Sequence, residues 1–441
     1  MSASVEFDVV QPSAEKPTVA AAPGSGAKIV FFGIVGIENL GNECTLQSIV
    51  QNARLHLPGA DLSAVSYRPA DTWQRHQLAS TPVSHQNFGK VVRKSGVAGK
   101  IAKAGRLLKR VPAEFNDWRQ TVRALKGAQV VFMTGTGMLT DYMTTASGFP
   151  YDVFRLSSCA RLAGCKVRFV CVGVGPIYGG LSRFFITKGL ARADYRSFRD
   201  QNSKDRIRKN GFIHPEDPVY PDLVWSLAPD CFPRRAKQGD PIRTVGLGVM
   251  DHRDIHMWDS TKHESHYAYY LDTMADFAIW LTGQGYRVRI LQGDAKNDAS
   301  TRTELRERLE KRGIRYDESG IVDQGSTTVE ELIAQISQVD LVVSPRFHNL
   351  LLGLMMNIPC VSISYDPKND ALLESVGLGK YRQRIEDLDL QVLKDHFTEL
   401  VSSADAVKPN IERKADEFRS QLDQQYERIF GEFTHTDRRR S

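Results

Sequence analysis

Cysteine is scarce in this 441-residue chain, and no two of the six form a CxxC motif. That argues against a disulfide framework or a zinc knuckle and predicts a reducing, cytoplasmic compartment. Long apolar runs are missing too: no stretch reaches the roughly 18 consecutive apolar residues of a spanning helix. The opening MSASVEFDVVQPSAEKPTVAAAPGSGAK has no basic region followed by an apolar core, so it does not read as a secretion signal. Its Pro, Ala, Ser and Gly content predicts a disordered leader over 1–27. No glycine-rich turn carries a dinucleotide fingerprint with its acidic partner, so no cofactor is expected. Acidic residues nearly vanish from Lys90 to Lys126, where eleven Lys and Arg face only Glu114 and Asp117. With Phe115 and Trp118 as the only stacking candidates and no recognised motif, that run does not read as a nucleic-acid site.

What is present is an alternation of strands and helices, which predicts parallel sheets with right-handed crossovers. In the first set, Lys28–Gly33, Leu62–Ser66, Ala128–Met133 and Lys166–Val172 read as strands, with helices expected at about 44–56 and 156–163. Ala228–Pro241, rich in Pro and charge, reads as an interdomain linker. A second set follows, with strands expected at Thr244–Val249, Arg287–Leu291, Asp340–Ser344 and Pro359–Ser364. The expected organisation is a leader (1–27), a Rossmann-like domain (28–228) with a basic insertion at about 85–127, a linker (229–241), a second Rossmann-like domain (242–386) and a helical tail (387–441) able to clamp both. The fold class is α/β: two Rossmann-like domains facing across a cleft, GT-B-like, with a helical C-terminal extension.

The most informative stretch is VDLVVSPRFHNLLLGLMMNIPCVSISY, from Val339 to Tyr365. Ser344 followed by Pro345 suits a helix start, a hydroxyl cap and then a residue with φ preset. Arg346 and His348 therefore fall at the carboxyl end of a strand, where open α/β sheets bind ligands, and beside a helix N-terminus that favours anions. A guanidinium, an imidazole and such a terminus point to a phosphorylated ligand.

The elements SPRFH, LLLGLMMNIP, CVSIS and YDPK resemble, in order, the S-R-x-H, small-residue helix, strand and Y-x-x-K of the polysaccharide pyruvyl transferase family. FFGIVGIENLGNECTLQ is similar to that family's G-x-x-N-x-G-D-E opening, except that Asn42 stands where the family usually has Asp. CVGVGPI and FRDQNS resemble its G-x-G-P and R-D-x-x-S elements, so the likeness spans roughly residues 28–380. The resemblance implies transfer of a pyruvyl group from phosphoenolpyruvate to two hydroxyls of a saccharide, forming a cyclic ketal and releasing phosphate during surface-polysaccharide assembly. It also implies an acceptor side in the first domain and a donor side in the second.

That chemistry needs an acid for the enol carbon and cations for the donor. His348 is the expected general acid, since imidazole titrates near neutrality; a packed histidine at a helix start is the alternative. The helix terminus depresses its pKa and a bound anionic donor raises it again. Arg346 is the expected clamp, its planar fork able to hold two oxygens; the alternative is an interdomain salt bridge. Phe347 lies between them on the substrate side. Arg199 matches the family's Arg in R-D-x-x-S and could reach the donor from the first domain, with Arg196 not separable from it. Lys368 adds a third cation or is a surface lysine. In the loop after the first strand, Asn39 and Gly41 approach the ligand, and Glu43 is a general base or a helix N-terminal carboxylate. Gly135, Gly137 and Gly175, in turns that end strands, shape the acceptor side. His252, His256, His263 and His266 crowd one loop, but no acidic or Cys ligand completes a metal spacing, so a cleft lining is expected and no metal.

The partners expected are phosphoenolpyruvate and a saccharide acceptor, lipid-linked in one version. The basic segment is either a solvated insertion or a patch for anionic lipid or a lipid-linked saccharide phosphate at the inner face of the membrane. Two other functions remain open. A GT-B glycosyltransferase would use a nucleotide sugar, but usually has a Glu a few residues into this motif, and Asn349–Asn357 contains no carboxylate. A non-catalytic saccharide-binding member fits Asn42 better than it fits the retained Arg199, Arg346 and His348.

Overall fold

The computed structural model describes residues 26–84, 112–142, 144–233, 241–253, 263–316 and 319–434. Nearly all of the expected leader, most of the basic insertion, part of the linker, His256 and the last residues of the tail lie outside them.

The first sheet contains β1 (Lys28–Phe32), β2 (Asp61–Ser66), β3 (Ala79–Pro82), β4 (Val130–Met133), β5 (Lys166–Val172) and β6 (Tyr195–Phe198), in the order β3-β2-β1-β4-β5-β6. The second contains β7 (Thr244–Gly248), β8 (Arg287–Leu291), β9 (Ile321–Asp323), β10 (Leu341–Ser344), β11 (Cys360–Ser364) and β12 (Arg382–Arg384). Its order, β9-β8-β7-β10-β11-β12, repeats the first, and the strands of both pair in parallel. The central strands are apolar and β-branched because helices cover both faces. In each sheet the order reverses beside the first strand, between β1 and β4 and between β7 and β10, which opens a crevice at the carboxyl ends.

The crossovers of the first half supply α1 (Leu40–His56), α2 (Pro69–His76), α3 (residues 112–125), α4 (Phe149–Leu162), α5 (Gly180–Leu190) and α6 (Gln201–Lys209). Those of the second are α7 (His263–Gly283), α8 (Asn297–Lys311), α9 (Val329–Ile336), α10 (Phe347–Met355) and α11 (Pro367–Ser375). A final helix, α12, runs unbroken from Leu390 to Thr434 through Pro409. Its start packs on the second domain, where Phe397 meets Trp280 and Tyr286 edge-on at 5.7 and 5.2 Å. Its end closes the first sheet: Phe430 meets Phe132 at 5.3 Å, and the Tyr426 hydroxyl lies 2.8 Å from Ser226 Oγ. Burying each of these aromatic side chains contributes roughly 1.5–3 kcal/mol, enough to carry a helix through one proline. Among the described residues, no helix is long and apolar enough to cross a membrane.

Candidate functional site

The turn from β10 into α10 differs from the expected one in a way that sets the site. Ser344 ends the strand, and its Oγ accepts the Arg346 N–H at 3.0 Å. The cap is Arg346 itself, extended at φ −77 and ψ 119, and α10 begins at Phe347. Because Arg346 stands outside the helix, its side chain is not bound to the helical spacing that would part it from His348. The guanidinium runs instead to Asp298 in the first turn of α8, with Nε to Oδ2 at 3.0 Å and Nη2 to Oδ1. Asp298 is fully buried and also accepts the N–H groups of Gly293 and Asp294, both at 2.9 Å. Burial works against the Arg346 charge, but Asp298 outweighs it and pushes the pKa up. The pair lies within the second domain rather than between domains.

His348 faces the first domain. A Cβ added to Gly41 would lie 2.0 Å from His348 Nδ1, so only glycine lets α1 come this close to the imidazole. Its Nε2 is sealed from solvent and has no hydrogen-bond partner among the described residues. Burial, then the cations Arg199, Lys368 and Arg346, push its pKa down to about 3. The free protein therefore holds a neutral imidazole among positive charges.

Arg199 comes from the other side, at the end of β6. It fits over Gly173, where an added Cβ would meet Nη2 at 2.7 Å, and approaches Asp200 and Asp222 at 3.4 and 3.5 Å. Burial opposes its charge, but Asp222, Asp200 and Asp366 together raise its pKa. The guanidinium sits over the Phe347 ring at 5.2 Å, and Lys368 Nζ lies 6.0 Å from the same ring and 4.9 Å from Tyr365. Phe347 thus holds one cation from each domain by cation–π attraction. Arg196 is committed elsewhere, to Asp217 at 2.8 Å and to the carbonyls of Leu190 and Ala193.

Two cavities meet at Arg199, Asp200 and Lys368. One, of about 140 Å³, is lined by polar groups including Thr140, Asn202, Arg206 and Asp366, with Gly137 and Gly175 in its wall. The other, of about 240 Å³, is walled by Tyr220, Trp225, Phe347, Leu372 and Phe418. Gly137 faces open space, and Gly175 lies against Thr140, whose Oγ1 would be 2.7 Å from an added Cβ. Gly135 sits deeper, against the Cys171 carbonyl.

The loop after β1 joins the two halves. Asn39 caps α1, its Oδ1 accepting the Asn42 N–H at 3.1 Å while Nδ2 donates to Asp294 at 3.3 Å. Leu40 N–H donates to the Gly293 carbonyl at 3.1 Å, and Ala295 N–H to that of Glu38 at 2.9 Å. Glu43 is fully buried: Oε1 accepts the Gly36 N–H and Oε2 meets His76 Nε2, both at 2.8 Å. Both of its oxygens are taken by the scaffold of the loop. His252 is buried against Tyr267 and Tyr270, at 5.5 and 4.9 Å, and burial pushes its pKa down to about 4. Among the described residues, no three potential metal ligands come together. Asp298, Asp222 and Arg206 had no signal in the sequence, because each acts on a residue far from it in the chain, whereas Asp366 lies within YDPK and caps α11 by accepting the Lys368 N–H at 3.0 Å.

The contact at Gly41 gives a direct test. Gly41→Ala must displace either α1 or the imidazole, and it is expected to cut turnover at least tenfold with secondary structure unchanged. Unaltered turnover would separate the Gly41 contact from the chemistry.

A family model described as polysaccharide pyruvyl transferase matches residues 39–367. No curated protein matches the chain at a significant level. Among solved structures, a UDP-N-acetylglucosamine 2-epimerase superposes with a TM-score of 0.54 at 10% identity, covering 93% of this chain and 98% of that one. The UDP-GlcNAc 2-epimerase of Methanocaldococcus jannaschii gives 0.50 at 10% identity, over 84% of this chain and 92% of its own. The glycotransferase of kitacinnamycin gives 0.50 at 12%, over 92% and 99%. At these identities the likeness establishes the two-domain fold alone.

Proposed function

The chain belongs to the polysaccharide pyruvyl transferase family, and from that premise we propose that it moves pyruvyl from phosphoenolpyruvate to two hydroxyls of a saccharide acceptor. The observation that carries this reading is the meeting of Arg199 with Lys368 and His348 across the cleft. Two cations, the charges that a carboxylate and a phosphate would require, lie beside an imidazole with a nitrogen unpartnered among the described residues. Arg346 contributes the edge of its guanidinium that Asp298 leaves open, and Phe347 keeps the cations apart. The polar cavity takes the acceptor, with Asp366 and Asn202 suited to its hydroxyls.

In this mechanism the His348 imidazolium gives its proton to C3 of the enol, and C2 becomes an oxocarbenium-like centre. The first acceptor hydroxyl forms a C–O bond to C2 and releases a proton, which restores the imidazolium. The bond from C2 to the phosphate oxygen then breaks, and the second hydroxyl closes the ketal as its proton leaves with phosphate. The pKa of about 3 in the free protein makes the acid conditional. Donor anions offset the three cations and raise it, so the imidazole charges when the donor arrives.

Two results follow, both read by calorimetry. Phosphoenolpyruvate is expected to bind, and Arg199→Ala to weaken that binding by roughly tenfold or more. Titrations in buffers of different ionisation enthalpy, at a pH where the donor is fully ionised, should report proton uptake on binding. The sign is fixed: the free imidazole is neutral at that pH and the bound one is charged, so affinity falls as pH rises through the pKa of the complex. Binding of a nucleotide sugar in place of phosphoenolpyruvate would move the cleft to glycosyl transfer. Binding of phosphoenolpyruvate without proton uptake would remove His348 as the acid.

A further inference from the structure

One face of the first domain carries a feature the cleft does not use. Helices α3, α4 and α5 pack through an aromatic cluster in which Phe154 meets Trp118 at 6.4 Å, Phe184 at 6.3 Å and Phe185 at 5.2 Å. Apolar side chains at the margin of that cluster stand in solvent: Phe115 is 72% exposed, Leu162 70%, Leu181 57% and Phe184 48%. Phe115, Trp118, Val122 and Leu162 also line a hollow of about 590 Å³ that is almost wholly apolar. An exposed apolar patch of this kind marks an interaction surface.

The charges around it identify the partner. Phe115, Arg119 and Arg123 follow one another at helical spacing on α3, with Lys126 just beyond, and Arg183 and Lys188 project from α5. None of these five cations has an ion-pair partner among the described residues. The nearby acids are already engaged, Glu114 with the Tyr151 hydroxyl at 2.7 Å and Asp194 with Arg161 at 3.0 Å. Aromatic and aliphatic anchors among unpaired cations fit the headgroup region of an anionic bilayer, where rings sit at the interface and each cation gains from the surface potential. The face also adjoins the cleft. Asp141 accepts the N–H groups of Tyr178 and Gly179 at 2.9 and 2.8 Å, fixing the link between Pro176 in the polar cavity and the start of α5.

We propose that the α3–α5 face docks on an anionic lipid bilayer and so presents the polar cavity to a saccharide carried on a lipid. The second half of that statement rests on the reading of the cleft as a saccharide site, whereas the docking itself does not. The test is flotation of the full chain with vesicles of phosphatidylcholine alone or mixed with phosphatidylglycerol. Binding is expected only to the anionic vesicles and should fall as salt rises. Arg119→Ala with Arg123→Ala should weaken it by about 30-fold, at the usual gain for two cations near such a surface. Phe115→Ser with Phe184→Ser should weaken it as well, and phosphoenolpyruvate binding should be unchanged in both double variants. Equal binding to the two vesicle types, no binding at low salt, or anionic binding that survives both double variants would overturn the proposal. The last result would assign the contact to another part of the chain, such as 85–111. Failure of the wild type to bind phosphoenolpyruvate would instead overturn the reading of the cleft and leave the docking result intact.

Discussion

Replacing His348 with Ala is expected to lower pyruvyl transfer by about 10²–10⁴-fold while phosphoenolpyruvate still binds. The two effects separate because Arg199 and Lys368 still hold the anion, and the variant loses from donor affinity only the pH-dependent part that comes with proton uptake. Its worth lies in the proton it acquires once the donor is bound and gives up in the transition state. Loss should therefore appear chiefly in kcat, with a smaller rise in KM at pH values where donor binding takes up a proton. His348→Gln, which keeps much of the shape and a donor N–H but cannot transfer a proton, should be nearly as slow as Ala. The readout is phosphate release alongside calorimetric titration of the donor. Normal phosphate release from either variant would remove His348 from the chemistry. It would then be a packed histidine whose low pKa follows from burial and its neighbouring cations and serves no proton transfer.

How far such a site is legible in a sequence depends on whether its signal is local. The turn at Ser344–His348 is local: a buried strand, a proline and a following apolar helix place Arg346 at a strand end without any distant information. The two-domain α/β fold is legible for the same reason, since the central strands β1, β4, β5, β7, β8, β10 and β11 are short apolar runs. The edge strands β3, β9 and β12 are not, because ASTP, IVD and RQR are only three or four residues long and bury no side chain but Ile321, too little apolar pattern to betray them. The tail, expected only to be helical, runs as one helix across Ser402, Ser403 and Pro409, because Leu400, Ile411, Leu422 and Tyr426 are buried on either side of that stretch. Propensity yields there to tertiary packing. The second domain's hold on the first is also hidden. Asn39 reads as a loop residue near a ligand, but its amide reaches Asp294, on a loop more than 250 residues away. Glu43 reads as a general base or, with the simpler reason, as a helix-start carboxylate, and only the positions of Gly36 and His76 show that both of its oxygens are taken.

Asp298→Ala is expected to have the largest effect on stability, about 3–5 kcal/mol, because it strands a guanidinium whose side chain is only 16% exposed. It also frees the N–H groups of Gly293 and Asp294, in the loop that accepts Leu40 and Asn39 from the other domain. The damage should spread to the closure of the cleft and not stay within α8. A two-domain chain need not unfold in one step, so the measurement is a denaturant melt followed by hydrogen exchange of residues 293–298. An unshifted melt with unchanged exchange would mean that the pair is dispensable to the fold. The double variant Asp298→Leu with Arg346→Met then separates the two roles open to Arg346. Replacing a buried pair with apolar groups of similar size is often neutral or stabilising, so the melt should recover most of its loss. Donor binding should not recover if the free edge of Arg346 grips the donor. Recovery of both would make Arg346 a strut that shapes the turn for His348, and would leave Arg199 and Lys368 as the cations that hold the donor.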